Sequence, residues 1–298
     1  MLAQTLWSRF IENPFYPYAL LGGVGVALLC SVLSVFVVLK RLAFIGQGIS
    51  HAAFGGVGVA LLLSIFYPVL LDVLYRDAVI AGFCVLTAVM IGLIASRGRL
   101  AEDTAIGITL VAGMALGVLL MDMRMRWSGG YTAPIQDILF GDLLFIRPAE
   151  IWIVWGLALG VLGLTLLLFR QWVFFLFDDE TSVVFGVPAR ALYYGLLVCL
   201  GLAVVAAMRT LGVILASALL VLPGAGARMW SQRIGLVMLA SILLGVGGLV
   251  GGFFLAIALN DLSFGGVIVL LLCVLFALSY VAKSVRNWRA RRKAPLLN

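Results

Sequence analysis

Charge is scarce in this chain of 298 residues: Asp, Glu, Lys and Arg together make up 11%, and His51 is the single histidine. One histidine cannot build a histidine-rich catalytic metal centre, and neither H-E-x-x-H nor a serine–histidine–carboxylate arrangement occurs. Paired membrane-embedded carboxylates are missing too, so the sequence does not read as an integral membrane enzyme. Lysine occurs only at 40, 283 and 293, and no G-x-x-x-x-G-K-[ST] loop exists. The chain therefore carries no nucleotide-binding motif of its own. Cys30, Cys84, Cys199 and Cys273 stand singly in apolar runs, with no C-x-x-C pair. They read as small buried hydrophobes rather than disulfides or metal ligands.

What is abundant is hydrocarbon. Hydrophobic residues make up 64% of the chain and mean hydropathy is +1.21. Repeated apolar runs, each about 20 residues long and so able to cross ~30 Å of hydrocarbon, define an all-α, polytopic helical membrane protein in one transmembrane domain. Expected spans are 18–39, 52–71, 78–96, 104–121, 151–169, 191–208, 234–259 and 263–282. A further apolar run, 211–222, is too short to cross and meets Pro223-Gly224, so it reads as a re-entrant helix. The expectation is eight to nine transmembrane helices including that short one. Residues 283–298 form a basic tail. Residues 1–17, with Arg9, Glu12 and two prolines, lack the order of a cleavable signal.

The net charge of +7 is distributed for lipid orientation rather than for nucleic acid. If 211–222 counts as a crossing, one side holds basic residues 40, 41, 97, 99, 170, 190, 228, 233, 283, 286, 289, 291, 292 and 293. Only Arg9, Arg76, Arg124, Arg126, Arg147 and Arg209 fall on the other. The positive-inside bias places the N-terminus outside and the C-terminus in the cytoplasm. Glycine is placed for packing: Gly245, Gly248 and Gly252, flanked by Gly247 and Gly251, bare one face of a span, as Gly22, Gly23 and Gly25 do in the first.

The stretch Gly46-Gln47-Gly48-Ile49-Ser50-His51 is the polar exception. Gln47 and His51 are four apart and share a helix face, while Gly48, Ala52 and Gly56 form a small-xxx-small row. The bland alternative is a histidine satisfied by a backbone carbonyl. Other ionisable candidates sit at helix ends: Asp103, Asp122, Asp137, Asp142 and Asp261. Glu102-Asp103-Thr104 reads first as an N-terminal cap and second as part of a pathway. Met121, Met123 and Met125 could hold copper(I), but interleaved with Arg124 and Arg126 they read as packing.

A transporter needs an energy source. No matching halves of a secondary carrier are visible. ATP, if used, must be bound by a separate subunit. The acidic segment Asp178-Asp179-Glu180-Thr181-Ser182-Val183-Val184-Phe185-Gly186 offers a short capped helix as its handle, among otherwise basic ends. The plainer alternative is an ordinary surface helix joining two spans.

Taken in order, these motifs resemble the permease subunits of bacterial ABC importers for zinc, manganese or iron, the ABC-3 family. The resemblance covers roughly residues 18–282. It rests on Gly46 to Gly56, Glu102 to Ile108, Leu139-Phe140-Gly141-Asp142-Leu143-Leu144, Asp178 to Val187, and Leu211 through Pro223 to Arg228. It implies a fold similar to the vitamin B12 importer type, with no permanently bound cofactor and a divalent metal ion as cargo. It further implies a permease dimer in the bacterial plasma membrane, a cytoplasmic ATPase on Asp178, Asp179, Glu180, Ser182, Val183 and Gly186, and an extracytoplasmic metal-binding protein. Lipid is the remaining partner. His51, Gln47 and Asp103 are the metal candidates. Two departures stand out: Gln47 where the family usually has aspartate, and Gly55 where it often has proline. A neutral Gln/His pair pulls less on a bare dication, which keeps a chelate permease as one alternative, with a stand-alone carrier as the other.

Overall fold

A chain this apolar can satisfy its backbone N–H and C=O groups within each segment only by coiling into helices. The computed structural model describes residues 2–71, 73–98, 100–128, 148–177, 188–260 and 262–293, and the regular structure among them is entirely helical. In order, the helices are α1 (Leu2–Glu12), α2 (Phe15–Leu39), α3 (Ile45–Leu63), a 3-10 turn (Pro68–Leu71), α4 (Val73–Gly98) and α5 (Glu102–Ser128). There follow α6 (Pro148–Leu167), α7 (Phe169–Phe177), α8 (Ala189–Leu211), α9 (Val213–Trp230), α10 (Ile234–Ala258) and α11 (Phe264–Lys293). Eight described helices are long and apolar enough to cross a membrane, and α6 with α7, bent by 77° at their junction, makes a ninth if counted as one span.

Contacts set the directions. Trp155 Nε1 donates to Leu21 O (3.1 Å) near the start of α2 and Trp172 meets Phe36 (4.9 Å between centroids) near its end, so α2 and α6–α7 run parallel. Gly92 lies against Leu197 and Gly201 against Val85, so α4 and α8 run antiparallel. Lys283 Nζ reaches Met229 Sδ (3.6 Å) and Arg286 Nη2 donates to Met229 O (3.1 Å), bringing the ends of α9 and α11 together. At the other end Arg9 Nη1 donates to Ile257 O and Asn260 Oδ1, each at 3.2 Å, a cation on the carboxyl end of α10. Phe10, Tyr16, Phe253 and Phe264 pack edge-on or tilted beneath it.

The segment expected to stop at Pro223 does not. α9 runs unbroken from Val213 to Trp230 with Pro223 inside it. Pro223 lacks the N–H that would close its turn, and Ser34 on α2 mends the neighbourhood. Gly224 N–H donates to Ser34 Oγ (2.8 Å), and Ser34 Oγ–H donates to Val221 O (3.3 Å). A side chain at 224 would meet Ser34 O and Oγ at 2.6 Å, which is why the residue after the proline is glycine. The chain break lies earlier, at Gly212 (φ 82°, ψ 164°), a conformation open essentially to glycine alone.

Two further expectations change. The second span begins at Ile45 rather than Ala52, because the glycine-rich motif is itself helical once packed. Cys30 and Cys84 are buried as expected, but Cys273 is exposed on the outer face of α11.

α3 is hemmed in by backbone. A Cβ on Gly113 would lie 2.6 Å from Ala52 Cα, one on Gly117 2.5 Å from Phe54 O, and one on Gly58 2.9 Å from Gly117 O. Gly48 and Ala52 therefore face α5, Gly55 is wedged between Phe83 of α4 and Gly113 O of α5, and Gly56 turns to Phe83 and Ile80 of α4. Gly245, Gly248 and Gly252 likewise admit Ser31, Leu272 and Ile268. Replacing Gly117 by Ala is expected to destabilise the bundle by about 1–3 kcal/mol through overpacking. Gly107→Ala, where nothing lies within 4 Å, is expected to change little. Equal thermal unfolding midpoints for the two variants in detergent would contradict the backbone-on-backbone contact.

Candidate functional site

The polar pair sits in the first two turns of α3, but not at the surface end of the bundle. Leu42 and Ile45 are buried, and Gly46 meets Leu220 of α9, ten residues before that helix ends at Trp230. At 1.5 Å per residue α3 thus begins about 15 Å inward along α9. Lys40-Arg41 stays near the end while the motif dips between helices.

On α3, Gln47 is exposed and His51 half-buried. They lie to one side of the face that packs on α5 and opposite the one that enters the core. His51 Nδ1 is 2.9 Å from Gln47 O. A carbonyl only accepts, so Nδ1 carries the proton of this bond, and in neutral imidazole the free lone pair is on Nε2. The backbone carbonyl expected under the bland reading is present. The same bond fixes the tautomer and ring, as it does for histidines that bind metal through the other nitrogen. Gln47 therefore acts on His51 through its main chain, leaving its side-chain amide free of any bond among the described residues.

α5 runs parallel to α3, with Gly48 against Ile106 and Gly58 against Gly117, so Glu102 and Asp103 open α5 at the end where α3 begins. Both lie in its first turn, where a carboxylate favours the helix dipole. Their roles differ. Tyr193 of α8 donates from its hydroxyl to Glu102 Oε1 at 2.8 Å, while Asp103 is exposed. Among the described residues no bond joins Asp103 to His51 or Gln47, and no group of three or more His, Cys, Asp or Glu side chains is placed to hold a metal ion. Asp122 is committed elsewhere, in an ion pair with Arg126 at 3.0 Å. Met121 is buried and Met125 is 51% exposed, so the three methionines do not share one pocket.

The expected docking segment, Asp178 to Gly186 (with Asp179, Glu180, Ser182 and Val183), lies outside the described residues, as do Asp137, Asp142 and Asp261. What leads into it is well defined. α7 folds across the end of the bundle with Trp172 and Phe175 buried, Trp172 against Phe36 and Phe175 under the Lys40 ammonium at 3.8 Å from its ring centre. On the far side α8 starts beside a cleft of about 870 Å³ lined by Arg97, Glu102, Phe175, Arg190 and Tyr193. Sequence reading took Phe169 to Phe177 partly as span and partly as mixed linker. The 77° bend and the Phe36, Lys40 and Tyr193 contacts were not visible in it, because each joins residues far apart in the chain.

Residues 12–283 match the ABC 3 transport family. The chain belongs to that family. It is 31% identical to the manganese transport system membrane protein MntC of Halalkalibacterium halodurans over 291 residues, covering 96% of this chain and 95% of that one. It is 30% identical to the manganese import system permease protein ScaB of Streptococcus parasanguinis, over 91% of this chain and 90% of the other. A solved chain of PsaBC from Streptococcus pneumoniae in complex with Fab superposes with a TM-score of 0.77 at 28% identity, over 94% and 95% of the two chains. The all-helical architecture and the multi-pass membrane character are thereby those of an ABC importer permease, as the motifs implied.

The Tyr193–Glu102 bond is a charge-assisted contact in a half-buried setting. Tyr193→Phe is expected to lower stability by about 1.5–3 kcal/mol by leaving the carboxylate unpaired. The check is the unfolding midpoint of the purified chain. An unchanged midpoint would remove the bond from the forces that hold α5 to α8.

Proposed function

We propose that this permease carries a divalent metal ion inward, with manganese the first candidate, as one subunit of an ABC importer. The observation that carries the reading is the placement of the Gln47 amide and His51 Nε2 side by side on the accessible flank of α3, a helix that begins about 15 Å inward along α9. MntC and ScaB, named for manganese, support it. Imidazole nitrogen and amide oxygen are acceptable donors to Mn²⁺ or Zn²⁺, and a neutral pair binds loosely enough to release. A second permease copy completes the donor set, and Asp103 belongs to the same pathway near its cytoplasmic mouth.

The basic end of the bundle is the cytoplasmic one, with the C-terminus there and the N-terminus outside. A separate ATPase docks on Asp178, Asp179, Glu180, Ser182, Val183 and Gly186, the segment that follows α7 in the chain. An extracytoplasmic metal-binding protein delivers the ion to the opposite end. ATP is used by the partner and not by this chain.

His51→Ala is expected to lower manganese uptake at least tenfold in cells expressing the chain with its ATPase, with membrane levels unchanged. Gln47→Asp is expected to tighten Mn²⁺ binding by about tenfold, equivalent to about 1.4 kcal/mol. Normal uptake by the first variant would leave His51 as packing only. Uptake of a chelated metal but not of Mn²⁺, Zn²⁺ or Fe²⁺ would favour a chelate permease instead. Removing residues 179–186 is expected to abolish copurification of the ATPase, measured by pull-down from detergent; a stable complex would displace the docking assignment.

A further inference from the structure

Five cations gather at one corner of the basic end. Arg228 lies in the last turn of α9 and Arg233 caps the start of α10, while Lys283, Arg286 and Arg289 lie on the last turns of α11. Their described bonds go to neutral acceptors: Arg228 to Ser231 O, Lys283 to Met229 Sδ, Arg286 to Met229 O. No carboxylate among the described residues neutralises them. From Arg228 to Asn298 the only acidic residue is Asp261, which precedes α11 in sequence, whereas the cations lie at its far end.

The surroundings choose between partners. The exposed apolar surface of α11 continues into the cluster, with Leu278 and Tyr280 each 59% exposed, Val281 55%, Val285 41% and Trp288 52%. Apolar and aromatic exposure interleaved with cations, where a spanning helix emerges, is the composition of a membrane–water interface rather than of a surface facing a soluble protein. An anionic layer is within reach there and attracts clustered Lys and Arg.

We propose that this corner binds the phosphate headgroup of an anionic phospholipid, seated between the α9–α10 turn and the emerging end of α11. The cations clamp the phosphate while Tyr280, on the bilayer side of them, borders its acyl chains and Trp288 lies at headgroup level. The site is separate from the ion pathway and holds whichever ion the permease carries.

Native mass spectrometry of the full chain with its ATPase, titrated with phosphatidylglycerol or phosphatidylcholine in detergent, tests this. Retention of phosphatidylglycerol over phosphatidylcholine is expected. Arg233→Gln and Arg289→Gln, whose side chains make no bond among the described residues, are each expected to weaken it about fivefold. Equal retention of the two lipids, or unchanged retention by the double variant, would overturn the proposal. Inorganic phosphate at millimolar concentration displacing the lipid completely would reassign the corner to a soluble phosphate. Loss of the ATPase by the double variant with lipid retention intact would reassign it to protein docking.

Discussion

The close approach of α3 to α5 is the contact on which the site depends. Where Gly55, Gly58, Gly113 and Gly117 meet, a single added methyl would fall within about 3 Å of the neighbouring backbone. No side chain stands between the two helices there, so no rotamer change can alter their spacing. In lipid there is no hydrophobic drive to bring helices together, and association rests on such dense van der Waals contact. The rigidity passes to His51, which is one helical step from Ala52 and has its ring tied back to Gln47 O. A polar pair can then stand on the flank of α3 without a network of its own to position it.

A second constraint couples that site to the rest. α9 touches α3 through Leu220 and Gly46, then three residues later carries Pro223, where Ser34 of α2 takes over the hydrogen bonding. Two residues further along α2, Phe36 holds Trp172 of α7. A continuous set of contacts thus leads from the helix before residue 178 through α2 and α9 to the start of α3. Contiguity alone does not establish energetic coupling, which double-mutant cycles measure. It does identify Ser34 as the residue that both helices share, and a proline-interrupted helix closed by a neighbour's hydroxyl as the most easily remodelled part of the path.

The sequence was legible where length and hydropathy decide. Most spans emerge at nearly their observed positions, since any 20-residue apolar run in lipid has only one backbone solution. It was least legible where a local preference is overruled by a distant neighbour. Pro223 reads as a helix stop until Ser34, 189 positions away by sequence number from 223, is brought beside it. Residues 46–51 read as a helix face ahead of a span that begins at Ala52, yet with Leu220 and Ile106 packed on Gly46 and Gly48 they belong to one continuous helix from Ile45. Sequence picks Asp103 over Glu102 as a pathway candidate without a physical ground, and the position of Tyr193 supplies one by engaging Glu102 and leaving Asp103 exposed. Cys273 failed for another reason: in a membrane an apolar run can face lipid as well as core.

Gln47 gains a physical meaning from this geometry. Its carbonyl, which any residue would supply, orients the imidazole; only its side chain distinguishes it from aspartate. A carboxylate at that point, one helical turn from His51, would keep its charge unpaired between passages of the ion, at a cost that rises wherever the assembled pathway excludes water. An amide carries no such penalty in the empty state. The trade is a shallower well for the ion, since the charge–charge attraction that a carboxylate offers at short range is replaced by a dipole. For a pathway driven by a separate motor, a shallow well is not a defect: an ion that must leave within each cycle is slowed by every increment of binding beyond what selection requires. Under the proposed function, selection falls to the imidazole and to what a second copy presents, because a neutral amide discriminates little between dications.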